Sequence, residues 1–392
     1  MTVKNETKET TVADVLESLQ ERPTLRSVLT LLLVLLNHPA FICAVFFPNF
    51  GGRVPYTSWS CLSEKCETHT NQTHDRDTLC SGNMEEGEDF SWEMDGRGSL
   101  ALDWGIYCER EYLGTLLSSL YFVGGALGLL IGSYTFDMYG RRITSCIGYA
   151  VVGVCMLAGA AAPNMEVLMV VRVVLGLGGF MGLGGLYVYV LECTAIKWRA
   201  LVSSLFGIVW GLGELLVAPG MAYLIKDWRW LSVAWGLLIL TVDLSWFLVP
   251  ASPRQLFDNR GDEKAAKASL MRFSRIFGVE LDLSNVRLVS SNVRKVKQSN
   301  CLENLQDFVN VRELRIQVLL QMWQWIVIAF VHYGFAFSWS KLGKDIYWSY
   351  VYAGIMEILA ANICWAGKIF IRIQKSEIAS RCKANIYNIK QI

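Results

Sequence analysis

Nothing in these 392 residues has the spacing of a catalytic or metal-binding site. No Cys/His cluster, phosphate-cradling loop or nucleophile elbow occurs, so an enzyme is the least favoured class and no cofactor or metal is expected. The run Gly176-Leu177-Gly178-Gly179 lies inside an apolar stretch and follows no soluble strand, which excludes a dinucleotide-binding turn. An excess of charge is also missing. The 36 basic and 35 acidic side chains give a net charge of +1, and nothing favours a nucleic acid partner. No short cleavable leader precedes the first apolar run, so that run is expected to be retained as a span.

What the chain has instead is apolar surface: it is 53% hydrophobic, with 14 tryptophans and a mean hydropathy of +0.33. A bilayer core of about 30 Å takes about 20 apolar helical residues. Eight stretches meet that length, at 27–47, 113–134, 143–162, 167–191, 200–225, 231–250, 316–339 and 346–367. They divide the chain into an N-terminus (1–26), six spans (27–250) with a long loop at 48–112, a basic linker (251–315), two further spans (316–367) and an atypical tail (368–392). The expected fold is an all-α integral membrane bundle.

Lys and Arg mark the cytosolic side. Arg141 with Arg142, Lys197 with Arg199, the 251–315 linker, and Lys368, Arg372 and Lys375 all fall on one side when the spans alternate. The N-terminus is then cytosolic, and only Lys226 with Arg229 and Lys341 with Lys344 dissent. The acidic 48–112 loop lies outside and holds Cys61, Cys66, Cys80 and Cys108, which allow three disulfide connectivities. Asn71 begins a glycan acceptor in that loop; Asn5 matches the pattern but faces the cytosol. The remaining cysteines, including Cys43, Cys146, Cys155, Cys193 and Cys364, read as packing residues.

Charges inside hydrocarbon are costly, on the order of 3 kcal/mol for arginine. Arg172 therefore reads as a charge beside a pathway, or as a side chain reaching an interface. Glu214, Asp243 and Glu357 are single carboxylates in apolar spans, suited to a cation cavity with Tyr187, Trp210, Trp325 and Tyr333 as aromatic faces. An internal ion pair with Arg172 is the alternative. His332 either titrates and couples transport to protons or hydrogen-bonds a helix backbone, and the second reading is favoured. Gly176, Gly178, Gly179, Gly182, Gly184 and Gly185 allow close helix packing.

The hairpin Ser133-Tyr-Thr-Phe-Asp137-Met-Tyr-Gly140-Arg141-Arg142 joins two spans and suits a solute carrier. Together with Leu102-Asp103-Trp104-Gly105-Ile106-Tyr107-Cys108, Arg172-x-x-x-Gly176-x-Gly178, Tyr187 and Glu192 before Lys197-x-Arg199, Asp227-Trp228-Arg229-Trp230, and Ser252-Pro253-Arg254, it resembles the major facilitator superfamily. Within that superfamily it is similar to the organic cation, carnitine and organic anion carriers of the solute carrier group, over residues 25–362. The resemblance implies a plasma-membrane glycoprotein with a six-helix half and about two helices of a second. Such a carrier moves small organic ions by alternating access across the lipid bilayer. It also implies gating by Asp137, Gly140, Arg141, Arg142, Arg172, Glu192, Arg199 and Arg254. Substrate contacts on the resemblance would come from Tyr187, Trp325 and Glu357, and the chemistry of the spans adds Trp210, Glu214, His332 and Tyr333.

Three departures stand out. Ala251 replaces a family glutamate, Ser133 replaces a glycine, and His332 replaces an aromatic side chain. A complete member has twelve spans, so the expectation includes a truncated or regulatory isoform that pairs with a full-length carrier. A receptor is a further, less favoured class.

Overall fold

Each long apolar run becomes a helix, because a backbone in hydrocarbon must satisfy its own polar groups. The computed structural model describes residues 8–21, 24–52, 59–62, 80, 90–92, 98–283, 286–289, 310–342 and 346–389. Among these, eight helices are long and apolar enough to cross a membrane: Leu25–Gly51, Cys108–Met138, Arg141–Ala160, Met165–Glu192, Ile196–Leu224, Trp228–Phe247, Arg312–Gly334 and Ile346–Gly367. Every one overlaps an expected stretch, and the chain is an all-α, multi-pass membrane bundle.

In chain order, β1 (Lys8–Thr11) and α1 (Val12–Leu19) precede the first crossing, made of α2 (Leu25–Leu35) and α3 (Asn37–Gly51). At their junction the Asn37 amide donates to Val34 O at 3.0 Å and to Ser245 Oγ at 3.1 Å. In the loop that follows, β2 (Trp59–Cys61) pairs antiparallel with β3 (Phe90–Trp92), and α4 (Leu100–Asp103) leads back to the bundle. Three crossings follow: α5 (Tyr112–Met138), α6 (Arg141–Ala160) and α7 (Met165–Glu192). The fifth is interrupted: α8 (Arg199–Leu212) passes through a π-helical turn (Gly213–Val217) into α9 (Ala218–Leu224). Then come α10 (Trp228–Asp243), α11 (Glu263–Phe277), β4 (Val286–Val289), α12 (Arg312–Leu342) and α13 (Ile346–Ile389).

Caps set where these helices begin. Asn164 Oδ1 accepts from Val167 N at 3.0 Å to start α7, and Asp227 Oδ1 accepts from Arg229 N and Trp230 N to start α10.

Small residues decide which helices touch. In α5, Gly124, Gly128 and Gly132 recur every four residues on one face, and a Cβ on Gly124 or Gly128 would collide with the backbone of Val173 or Leu177 in α7. Gly148 and Gly178 bring α6 equally close to α7. Helices that share apolar surroundings with lipid gain little from burial alone, so this close backbone approach is what fixes their pairing. Gly132 belongs to this seam, while Ser133 beside it is exposed and donates to Leu130 O at 2.8 Å.

The segments expected as a plain N-terminus and a linker share a small core of their own. Strands β1 and β4 pair in parallel, Lys8 opposite Val286 and Thr11 opposite Val289. Val12, Val15, Leu16 and Leu19 of α1 pack on Ala266, Leu270 and Phe273 of α11, with Leu283 and Leu288. Gln20 then ties this unit to the bundle. Its side chain donates to Cys193 O at 2.7 Å and accepts from Ala195 N at 2.8 Å, and its carbonyl accepts from Trp198 Nε1 at 3.0 Å.

Three further expectations change. The helix begun at Ile346 does not end near Gly367 but continues to Ile389, so the tail extends the last crossing. Cys43 and Cys155 are buried as packing residues, whereas Cys364 is exposed. Cys80 and Cys108 are disulfide-bonded; Cys66, Asn71, Asn5 and the side chain of Cys61 lie outside the described residues. Asp243, expected to line a cation cavity or to pair with Arg172, instead accepts from Cys146 Sγ at 3.6 Å within the α6–α10 contact.

Candidate functional site

Two clusters of polar side chains stand out, one at the end of the bundle where Arg141 lies and one within its apolar depth. At the first, Gly140 has φ +101°, a conformation open to glycine, and the amide of Gln255 occupies the space where a Cβ would stand. That turn aims Arg141 inward. Its guanidinium lies 3.0 Å from Asp137 and 3.2 Å from Glu192, and donates to Phe136 O at 3.1 Å. One arginine thus joins the end of α5, the start of α6 and the end of α7.

The other expected gate residues are spread around this centre. Arg142 Nε donates to Trp246 O at 3.0 Å, holding α6 to the end of the sixth crossing. Arg199 Nε donates to Thr194 O at 3.2 Å, and Arg254 pairs with Asp258 one turn along, at 3.6 Å. Glu192, Arg199 and Arg254 line a small cleft under α1. Where Ala251 stands, its carbonyl accepts from Ser269 Oγ at 2.6 Å.

Arg172 does not belong with them. About 20 residues at 1.5 Å each put it about 30 Å from Glu192 along α7. It is 1% exposed, so it does not reach an interface; Nη1 donates to Ala44 O at 2.8 Å, and the guanidinium lies 4.9 Å from the Tyr121 ring centre and 5.7 Å from that of Phe47. No carboxylate among the described residues pairs with it. The position reads as a helix-packing charge supported by ring faces.

The deep cluster is built where α8 meets α13. Gly211 and Gly354 let the two backbones touch, since a Cβ on either would crowd the carbonyl of the other. The π-helical turn begins two residues after Gly211 and carries Glu214, which is 2% exposed and accepts from Trp210 Nε1 at 2.9 Å. Such a turn inserts one extra residue and re-aims the side chains around it. On α13, Glu357 stands 3.1 Å from Nδ1 of His332 in α12. The Trp210 ring lies 5.8 Å from that imidazole, and the Tyr333 ring packs edge-on to Phe122 at 4.6 Å.

A cavity of about 520 Å³ opens among these groups, lined by Glu214, His332, Glu357 and Tyr350 and otherwise by apolar side chains such as Val327 and Met356. Tyr350 is fixed by a hydrogen bond from the Asn49 amide. Two carboxylates and one imidazole in an apolar, partly open cavity can neutralise a cationic group, and Trp210 and Tyr333 offer π faces beside them. His332 therefore bonds a carboxylate and not the helix backbone that its sequence context favours.

Two expected substrate contacts are not drawn in. Tyr187 is 42% exposed and packs on Phe206, and Trp325 is 63% exposed on the outer face of α12. Conversely, the sequence gives no hint of His38, which is buried 5.1 Å from Trp210 and supports that ring from behind. Nor does it reveal that two widely separated motifs meet. Asp103 Oδ2 accepts from Trp228 Nε1 at 2.9 Å and lies 3.7 Å from Arg229, while the Trp104 and Trp228 rings stand 5.4 Å apart.

The family model described as Major Facilitator Superfamily matches residues 110–380. Among curated proteins, the chain is 28% identical over 272 residues to the beta-alanine transporter of Drosophila melanogaster, covering 68% of this chain and 44% of that one. It is 27% identical over 285 residues to solute carrier family 22 member 3 of Rattus norvegicus, covering 72% and 49%. The chain thus spans about half the length of the curated relatives it matches. Among solved structures, the major facilitator superfamily proton:xylose symporter XylE bound to 6-bromo-6-deoxy-D-glucose aligns over 64% of this chain and 50% of that one, with 16% identity and a TM-score of 0.43.

Proposed function

Because this chain belongs to the major facilitator superfamily, we propose that it carries small organic ions across a membrane by alternating access, with the substrate's charged group held at Glu214 and Glu357. The observation that carries this reading is the cavity shared by those carboxylates and His332 within the membrane-spanning helices. Ionisable side chains are expensive at that depth, and their convergence on one cavity marks a pathway. Two carboxylates favour a substrate with a positive charge, either an organic cation or a zwitterion. The name of the Drosophila relative, beta-alanine transporter, agrees with the second.

The cluster of Arg141, Asp137 and Glu192 acts as the gate: it latches three helix ends that move apart when the carrier rocks. Its side is cytosolic, as is the N-terminus, and the loop closed by Cys80–Cys108 is outside, with Asn71 glycosylated at the plasma membrane.

The test is uptake into proteoliposomes containing the purified chain, with labelled tetraethylammonium, β-alanine and benzoate as cation, zwitterion and anion. Tetraethylammonium or β-alanine should accumulate above empty vesicles, and Glu357→Gln should lower the initial rate by about tenfold, a loss of about 1.4 kcal/mol of binding. Absence of uptake for all three probes, or an unchanged rate in Glu357→Gln, contradicts the proposal.

A further inference from the structure

His332 occupies the place at which the proposed substrate needs Glu357. The imidazole and the carboxylate come from different helices, 3.1 Å apart, and both line the cavity. Five titratable groups among the described residues surround His332. Glu357 and Tyr350 come from α13, Glu214 from the π-helical turn, and Tyr333 from its own helix; His38 in α3 stands behind Trp210. Of these only the two glutamates supply negative charge, and Glu357 is the one within ion-pair distance of His332.

A protonated His332 and the positive group of a substrate would stand side by side against one carboxylate, and like charges repel. Resting on the carrier reading above, we propose that His332 and the substrate's cationic group compete for Glu357, so that each cation bound releases one proton and transport runs as cation–proton exchange. The chemistry balances without any redox partner. The imidazolium N–H bond breaks, its electron pair stays on nitrogen and the proton leaves to water in the open cavity. The Glu357 carboxylate then changes partner from imidazolium to substrate. On the opposite side of the membrane, cation release returns the carboxylate to His332, which takes up a proton there. An imidazole suits this role because its ordinary titration range lies near neutral pH.

The experiment measures tetraethylammonium binding to the purified full chain in lipid nanodiscs between pH 5 and 8, together with proton release into weak buffer read by an indicator dye. In the acid part of this range the apparent affinity should rise about tenfold per pH unit, as one proton exchanged per cation requires. About one proton should appear per cation bound at pH 6. His332→Gln, which keeps a hydrogen-bonding side chain but does not titrate, should bind with a flat pH profile and release none. Wild-type binding without pH dependence or proton release overturns the exchange and leaves the carrier reading standing, as does a slope that survives in His332→Gln. Failure of both tetraethylammonium and β-alanine, measured alongside it, to bind at any pH overturns the cation site itself, and the exchange with it.

Discussion

Asp103 and Trp228, 125 residues apart, are joined by a 2.9 Å hydrogen bond from the indole Nε1 to the carboxylate. Trp228 is 1% exposed and its backbone N donates to Gly98 O at 3.1 Å, so this contact clamps the loop before α5 onto the start of α10. The same carboxylate faces Arg229, whose Nη1 donates to Ala160 O and Ala162 O.

Asp103→Ala should therefore destabilise the protein by about 2 kcal/mol, the range for a bond to a charged acceptor whose buried donor is left unmade. Asp103→Asn should recover part of that loss. Thermal unfolding in detergent, followed by tryptophan fluorescence, checks both. Equal stability of Asp103→Ala and the parent would remove the clamp.

Arg141 and Asp137 make unequal contributions to the proposed gate. Arg141 is 13% exposed and holds two carboxylates and a carbonyl, whereas Asp137 is 69% exposed. Arg141→Ala should cost about 3 kcal/mol because Glu192 is left charged and largely buried. Asp137→Asn should cost about 0 to 1 kcal/mol. Arg141→Lys should fall closer to Ala, since an ammonium cannot reproduce the guanidinium fork. Denaturation midpoints of the three variants rank them.

The glycine seams predict a sharp contrast between neighbouring substitutions. A Cβ on Gly176 would collide with the backbone of Tyr121, whereas one on Gly114 meets nothing within 4 Å. Gly176→Ala should abolish the monodisperse peak in size-exclusion chromatography of the detergent-solubilised protein, and Gly114→Ala should leave it unchanged. Normal behaviour of Gly176→Ala would mean that α5 and α7 do not approach as closely as described.

Outside the membrane, Glu263 accepts from Lys267 at 3.0 Å and from Leu288 N at 3.3 Å, and these bonds hold its carboxyl below the ordinary carboxylate range. A depressed folded-state value stabilises the fold above the unfolded pKa, and that contribution disappears as pH falls through the folded one. The β1–β4 unit should therefore loosen below about pH 4. Acid-active protease should cut around residues 286–289 faster at pH 3 than at pH 6, and Glu263→Gln should narrow that difference. Cleavage independent of pH would contradict the role of Glu263.

The spans were legible because crossing hydrocarbon imposes a length and a composition, and both are local properties. The hairpin ending in Arg141 was legible for the same reason. Contacts that depend on helix register were not. His332 and Glu357 lie 25 residues apart on two helices, and only the meeting of Gly211 with Gly354 brings Glu357 toward Glu214. The β1–β4 pair joins four-residue strands about 280 positions apart, too short to rise above their polar surroundings. Arg172 was read as a charge beside a pathway because cost in lipid says that a charge must be housed, and not by what; a carbonyl and two rings house it.

The cavity beside Glu357 is the proposed substrate site. Ala353 lines it, one turn from Glu357, so Ala353→Cys places a thiol at the proposed site. The rate of its modification by a charged methanethiosulfonate reagent, measured against the parent, tests occupancy directly. Saturating tetraethylammonium should slow that rate at least about fivefold, the mark of a largely filled site. An unchanged rate in the presence of tetraethylammonium, under conditions where the same preparation binds it, would place the substrate elsewhere.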